Sequence, residues 1–439
     1  MEASRGALRG QENAATESTN PRSFCALPAE MKVNIFTFIR TRTEQREVCL
    51  VSREWRALMA PMLWDLFSSS LELTPEKKLS VLLNPQNGVL SHVKELRLRN
   101  SAIPKDWQRT IETTLKFLIG ALPRGSLRCF SSGYKVPAAV LIHLLQLHPN
   151  LGSLQTQWEA PDPSDTVGLA SSPWIAPSLS KIRQLDLYVD LARSPMIADC
   201  AFLVKSVRAL DSLFLFCTTK THNRSLGEAS DLIFQNSRPN KDGANNFLQP
   251  VYLGICNFDL AVSAISLFEH VSLATLSRLN LLHVNNASEF LEALATRYSV
   301  TPGKLAHLTI VLGPLEDVAI DAALQAIEHL LRSINPLHRL DLDTGSDRFI
   351  DITCLARHGQ TLRGLSLSCE PTGNVRLKLA YQDFATILAT CNGLEQLAFN
   401  FRPISLGPVD RMALDFALGG DLHSAQTELE AVLVSNTRL

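Results

Sequence analysis

The chain has 439 residues, 46% of them hydrophobic and 19% charged, which allows several domains or one repeat array and argues against a disordered protein. Lys and Arg number 42 against 43 Asp and Glu, so the formal net charge of -1 gives no general pull toward nucleic acid or an anionic membrane. The 9 cysteines include no CxxC pair and sit mostly among apolar neighbours. No apolar run reaches the ~20 residues needed to cross a bilayer, and residues 1–22 lack the apolar core of a signal peptide. The expected setting is a reducing one, cytoplasmic or nuclear.

Residues 1–23 are polar and without periodicity, and are expected to be disordered. Leu27, Met31, Ile35 and Phe38 then recur at helical spacing, while Val33, Phe36 and Ile39 lie off that stripe. One short helix with apolar residues on several sides has more surface than a small core covers, which calls for a partner. Residues 41–47 read as a polar connection. Val48, Val51, Trp55, Leu58 and Met59 mark a second helix, which Pro61 ends or bends. Met62, Leu63, Trp64, Leu66 and Phe67 close a unit of three short helices over residues 24–67.

From about residue 80 a different pattern repeats: a short LxxLxL-like run, read as a strand, followed by an amphipathic helical run. The clear runs are residues 93–98, 182–187, 210–215, 276–281, 305–310, 337–342, 362–367 and 394–399, with weaker ones at 127–130, 151–156 and 248–253. Helical stripes lie between them, as at Ile111, Leu115, Leu118, Ile119 and Leu122, and at Phe290, Leu291 and Leu294. Each unit has an apolar face that only a neighbouring unit can cover, so the expected fold is α/β: an irregular leucine-rich-repeat-like solenoid over residues 68–439, with a parallel sheet on its concave side. A doubly wound α/β domain is the competing fold, but its strands would be fuller Val/Ile runs. Residues 422–434 read as another helix and 436–439 as the start of a strand, so the array stops at an atypical cap or inside its own pattern.

Leu27-Pro28-Ala29-Glu30, then Val51-Ser52-Arg53-Glu54-Trp55-Arg56-Ala57-Leu58, then Pro61-Met62-Leu63-Trp64, in that order, resemble an F-box. With the repeats, the chain resembles the F-box proteins with divergent leucine-rich repeats of the fungal type. The resemblance implies a substrate receptor of an SCF-type ubiquitin ligase. In that family the F-box binds a Skp linker subunit joined to a cullin, and the repeats hold a substrate protein. It assigns Leu27, Pro28, Ile35, Ile39, Val51, Trp55 and Leu58 to the three-helix core or to the Skp contact. The Asn that usually follows LxxLxL is missing, so the turns are expected to be irregular.

No phosphate-binding, dinucleotide-binding, nucleophile-elbow or HExxH motif is found, and no enzyme activity, cofactor or metal is expected. His143 and His148 are five apart, wrong for two ligands on one helical face, and read as a partly exposed edge. Alternate strand positions point one way, so the concave face should carry Arg97 and Arg99 near its start, Phe214 and Phe216 midway and Asp341 and Asp343 late. That is an expected substrate surface running from basic through aromatic to acidic. The aromatic pair is either a protein-binding patch or is covered by residues 218–246. A protein-binding scaffold outside any ligase is the alternative function.

Overall fold

A computed structural model describes residues 24–69, 84, 88–99, 108–159, 168–189, 194–217, 233, 248–260, 267–313, 317–346, 348–368 and 381–399. Residues 1–23, expected to be disordered, and the helix and strand expected between residues 422 and 439 lie outside the described residues.

The helical unit comprises α1 (Ala29–Phe36), α2 (Arg42–Val51) and α3 (Arg53–Trp64). Its core is Phe36, Cys49, Met59 and Leu63, with Phe24, Ile39, Val48, Trp55 and Leu58 packed around them. The rings of Phe24, Phe36 and Trp55 are 5.0 to 6.2 Å apart. The face of α1 turned inward is therefore Lys32 and Phe36, one turn apart, and not the expected stripe. Lys32 is 2% exposed and reaches Glu54 of α3 at 2.7 Å, so its charge enters the unit already paired.

Four boundaries also differ from expectation. The polar residues 41–47 are the first turns of α2, started by a reciprocal cap. Thr41 accepts from the Glu44 backbone N–H, and the Glu44 carboxylate accepts from that of Thr41. Ser52 then divides what the periodicity joined. Its backbone is extended, and its side chain caps α3 by accepting from the Trp55 N–H. Pro61 does not end α3. It lacks one donor, but Met59 and Leu63 on either side are buried in the unit's core. The first strand of the sheet begins at Leu66, inside the segment expected to be purely helical.

Every run named above supplies a strand, and Leu66–Ser69 adds one. The strands are β1 (Leu66–Ser69), β2 (Glu95–Leu98), β3 (Cys129–Pro137), β4 (Ser153–Glu159), β5 (Gln184–Val189), β6 (Ser212–Cys217), β7 (Tyr252–Cys256), β8 (Arg278–Val284), β9 (His307–Leu312), β10 (Arg339–Asp343), β11 (Gly364–Ser368) and β12 (Gln396–Phe399). They form one 12-stranded sheet in chain order, each pair parallel. A doubly wound sheet reverses its order at a switch point, so the solenoid reading holds.

Register explains the pattern. Leu96, Phe130, Leu154, Leu185, Leu213, Leu253, Leu279, Leu308, Leu340, Leu365 and Leu397 are partners in succession from β2 to β12. From β2 to β11 the next inward position forms a second ladder, apolar except at Ser132 and Thr156. Those two hydroxyls are buried and bond locally, to the carbonyls of Tyr134 and Gln157. The leading Leu of each late run, such as Leu276, Leu305 and Leu337, is buried in the turn before its strand. Both ladders and the inward residues of the helices, such as Leu115, Phe290 and Leu330, form one continuous core. Full burial of each such side chain is worth ~1.5–3 kcal/mol.

The missing Asn residues do not leave the turns without order at the strand starts. One backbone carbonyl before each strand accepts the two successive N–H groups that open the next. Asp65 accepts from Lys94 and Glu95 at 2.9 and 2.8 Å, Gly152 from Arg183 and Gln184, and Arg363 from Glu395 and Gln396. His358 adds a clamp. It is fully buried, its Nδ1 accepts from the Leu337 N–H at 3.0 Å, and its Nε2 donates to the Leu331 carbonyl at 2.9 Å. That carbonyl is one that a helix leaves unpaired at its C-terminus. His148 occupies the equivalent place between Leu127 and Ile119, with both contacts at 3.4 Å. It is fully buried, so the expected partly exposed edge is corrected for His148, while His143 is half-buried.

Candidate functional site

The face of the sheet turned away from the core carries its densest aromatic group on β5, β6 and β7. Phe214 stands between Asp186 of β5 and Gly254 of β7, and Phe216 between Tyr188 and Cys256. Tyr188 and Phe216 have ring centres 5.1 Å apart, and Phe214 stacks on Tyr252 at 6.5 Å. All four rings are half-buried. The glycine decides where Phe214 lies: a Cβ at Gly254 would stand 2.1 Å from Phe214 Cδ2. The ring therefore rests on the β7 backbone, a close approach that only Gly permits. Tyr252 is fixed in turn, its hydroxyl accepting from Asn280 Nδ2 at 3.1 Å.

Asp186 sits in the middle of this group, with Gln155 of β4 on one side and Phe214 on the other. Among the described residues, no hydrogen bond or ion pair reaches its carboxylate. Burial pushes its carboxyl up to about 7, since a charge without a partner is costly in such surroundings. Burial, and then the nearby Asp186 carboxylate, raise the phenols of Tyr188 and Tyr252.

The structure thus brings Phe214 and Phe216 together as expected and adds Asp186, Tyr188, Tyr252 and Gly254. Of residues 218–246, the alternative cover for the aromatic pair, all but Ile233 lie outside the described residues; Ile233 is buried in the main core. The other expected sheet residues do not form the charge gradient. Arg97 pairs with Glu95 of its own strand at 2.8 Å, and Arg99 is exposed beyond the end of β2. Asp341 accepts from Arg339 Nε at 2.8 Å. Asp343 accepts from the Gly345 N–H at 3.1 Å and holds a turn in which Gly345 has φ +59°. The expected acidic pole is therefore answered locally. Beside it, at the start of β9 to β12, lies a cleft of about 510 Å³ lined by His307, His338, Arg339, Arg363 and Glu395, among others. Arg363 and Glu395 pair there at 2.8 Å. Burial and then the charges of Arg278, His338 and Arg339 lower the imidazole of His307.

A second candidate surface is on the helical unit. Met31 and Ile35 of α1 are 51% and 40% exposed, Phe38 just beyond it 81%, and Leu50 and Val51 at the end of α2 77% and 60%. The residues assigned by resemblance divide accordingly. Pro28, Ile35 and Val51 are exposed; Leu27 is half-buried; Ile39, Trp55 and Leu58 are half-buried and pack on the unit's core.

Among the described residues, no group of three or more His, Cys, Asp or Glu side chains is placed to hold a metal ion. No helix among them is long and apolar enough to cross a membrane. The seven cysteines with described side chains are all free thiols.

No protein-family model and no curated protein sequence matches the chain. Among solved structures, a chain from the crystal structure of the Rad7 and Elc1 complex in yeast is similar at 14% identity with a TM-score of 0.40. The match covers 88% of this chain and 96% of that one. The fold class rests on the strand order and register described above.

Proposed function

We propose that this chain is a substrate receptor of an SCF-type ubiquitin ligase. Its helical unit docks on a Skp-family linker and through it on a cullin, and its sheet holds a substrate protein. It is not itself an enzyme, and it works in the cytoplasm or nucleus. The observation that carries this reading is the surplus of the helical unit. Met31, Ile35, Phe38, Leu50 and Val51 stay exposed on a unit whose own core is complete without them. Covering one such side chain is worth ~1.5–3 kcal/mol, enough for a few of them to support docking. In this reading Ile35, Val51 and Pro28 touch the linker, while Trp55, Leu58 and Ile39 hold the helices in place.

The test is co-expression of the full chain with a Skp-family linker. A stable complex is expected. The double variant Ile35→Ser, Val51→Ser should weaken it at least ten-fold with an unchanged melting temperature. A wild-type chain that binds no such linker overturns the proposal. The aromatic group on β5 to β7 supports a second reading, because it owes nothing to the helical unit: a protein-binding scaffold that acts outside a ligase. With a cullin co-expressed as well, linker bound with no cullin in the purified complex would favour it.

A further inference from the structure

We infer that the outward face of β5 to β7 takes a basic side chain, a lysine or arginine of a protein partner, between Asp186 and the rings of Tyr188, Phe214, Phe216 and Tyr252. The inference deepens the reading of the sheet as a protein-binding surface and rests on it.

Charge complementarity chooses the occupant. Asp186 is a carboxylate with no hydrogen bond or ion pair among the described residues, set in a group of half-buried rings. Neighbouring strands supply no cation beside it. Outward residues are Ser153, Gln155 and Gln157 on β4, and Ser212, Phe214 and Phe216 on β6. On β7 they are Tyr252, Gly254 and Cys256. Lys135 lies on β3, one strand beyond β4, and Arg278 on β8, two strands beyond β6, while Arg183 before β5 pairs with Asp211 at 3.4 Å. An apolar side chain laid here would strip water from the carboxylate and give nothing back. A carboxylate or phosphate would be repelled. A lysine or arginine does both jobs: its head pairs with Asp186 and is drawn to ring faces, and its stem lies along the rings. Phe214 is already seated on Gly254, and Tyr252 is already held by Asn280, so little ordering is left for binding to do.

A pH dependence follows. Asp186 titrates near 7 in the free protein, and a bound cation favours its charged form. Binding then releases a proton, so affinity rises from pH 6 to pH 8. Gln184 and Tyr188 share its strand, and Tyr188, Tyr252 and Cys256 stay neutral over that range, because burial raises all three.

The probe is a fully randomised library of nonapeptides, acetylated and amidated, selected on the immobilised full chain at pH 8. Retained peptides should show lysine or arginine enriched at least ten-fold at one position. On the near-isosteric Asp186→Asn chain, that enrichment should vanish while the flanking apolar preference persists. One retained peptide, measured singly, should bind several-fold more tightly at pH 8 than at pH 6, and equally at both on Asp186→Asn. An unchanged or raised melting temperature of the variant rules out loss of fold. The inference is overturned by retained peptides without a basic position, by enrichment that survives Asp186→Asn, or by a library from which nothing is retained. The linker experiment is independent of all three, so the ligase reading stands or falls separately.

Discussion

The helical unit and the sheet solve the same problem with different success. In the sheet each ladder residue from β2 to β11 has a neighbour on either side, and one core runs from Leu90 to Leu394. Large exposed apolar residues in the array, such as Phe117, Trp174 and Val300, are scattered. The helical unit buries Phe36, Cys49, Met59 and Leu63 and leaves five large apolar side chains outside. Stacking lets burial grow with every added unit, whereas three short helices run out of interior. The surplus at the helical end is a property of its size, and it is where a partner has most to gain.

Three measurements would break or sharpen that comparison. Leu308→Ala should have the largest effect, since Leu308 is fully buried between Leu279 and Leu340. A loss of ~2–5 kcal/mol by urea unfolding is expected for a Leu truncated within a close-packed core. A loss below ~1 kcal/mol would mean that the ladder collapses around the gap and is not one packed core.

Acid should act next, through the histidine clamp. Burial, and to a lesser degree Arg357, hold the His358 imidazole below its ordinary value against the opposing bond to Leu331. Its unfolded value is ~6.5, so the folded value lies below that. Stability from the neutral ring is complete above ~6.5 and is lost as pH falls through the folded value. Each broken clamp bond should cost ~1–3 kcal/mol, seen as a falling urea midpoint between pH 7.5 and 5. His358→Leu should flatten that slope more than His148→Leu, whose contacts are longer. Equal slopes for both variants and the wild type would remove the clamp.

Ile35→Ser should do least. It changes an exposed apolar residue, and the urea transition should move by less than ~0.5 kcal/mol. A larger shift would mean that the α1 stripe is part of the fold and not a surface left for a partner.

The strands were legible because LxxLxL states burial directly: in each run the second and third apolar positions are the two inward ladders. β1 is not legible in the same way, since Leu66-Phe67-Ser68-Ser69 lacks that spacing and its place is set by pairing with β2. The start of α2 is hidden because residues 41–47 are polar and carry no apolar periodicity. The Thr41…Glu44 cap, a recognisable start signal, was there to be read. The direction of α1 does not follow from periodicity, because apolar residues lie on several sides of it and the inward face, Lys32 and Phe36, is chosen by Phe24, Trp55 and Glu54 elsewhere in the chain. In the site, Phe214 and Phe216 stood out. Asp186, Tyr188 and Tyr252 become visible only when adjacent runs are set in register, and Gly254 had its own signal as a glycine inside a strand.

The carbonyl pairing that opens each strand begins at Asp65, the residue that follows α3. From there to β12 the register advances strand by strand, with neighbours ~4.8 Å apart. The sheet is thus a ruler whose zero mark is the end of the helical unit. The aromatic group centred on β6 lies five strands along it, an offset of ~24 Å. Removing one strand-and-helix unit ahead of β5 would bring that mark ~5 Å closer while leaving both surfaces intact.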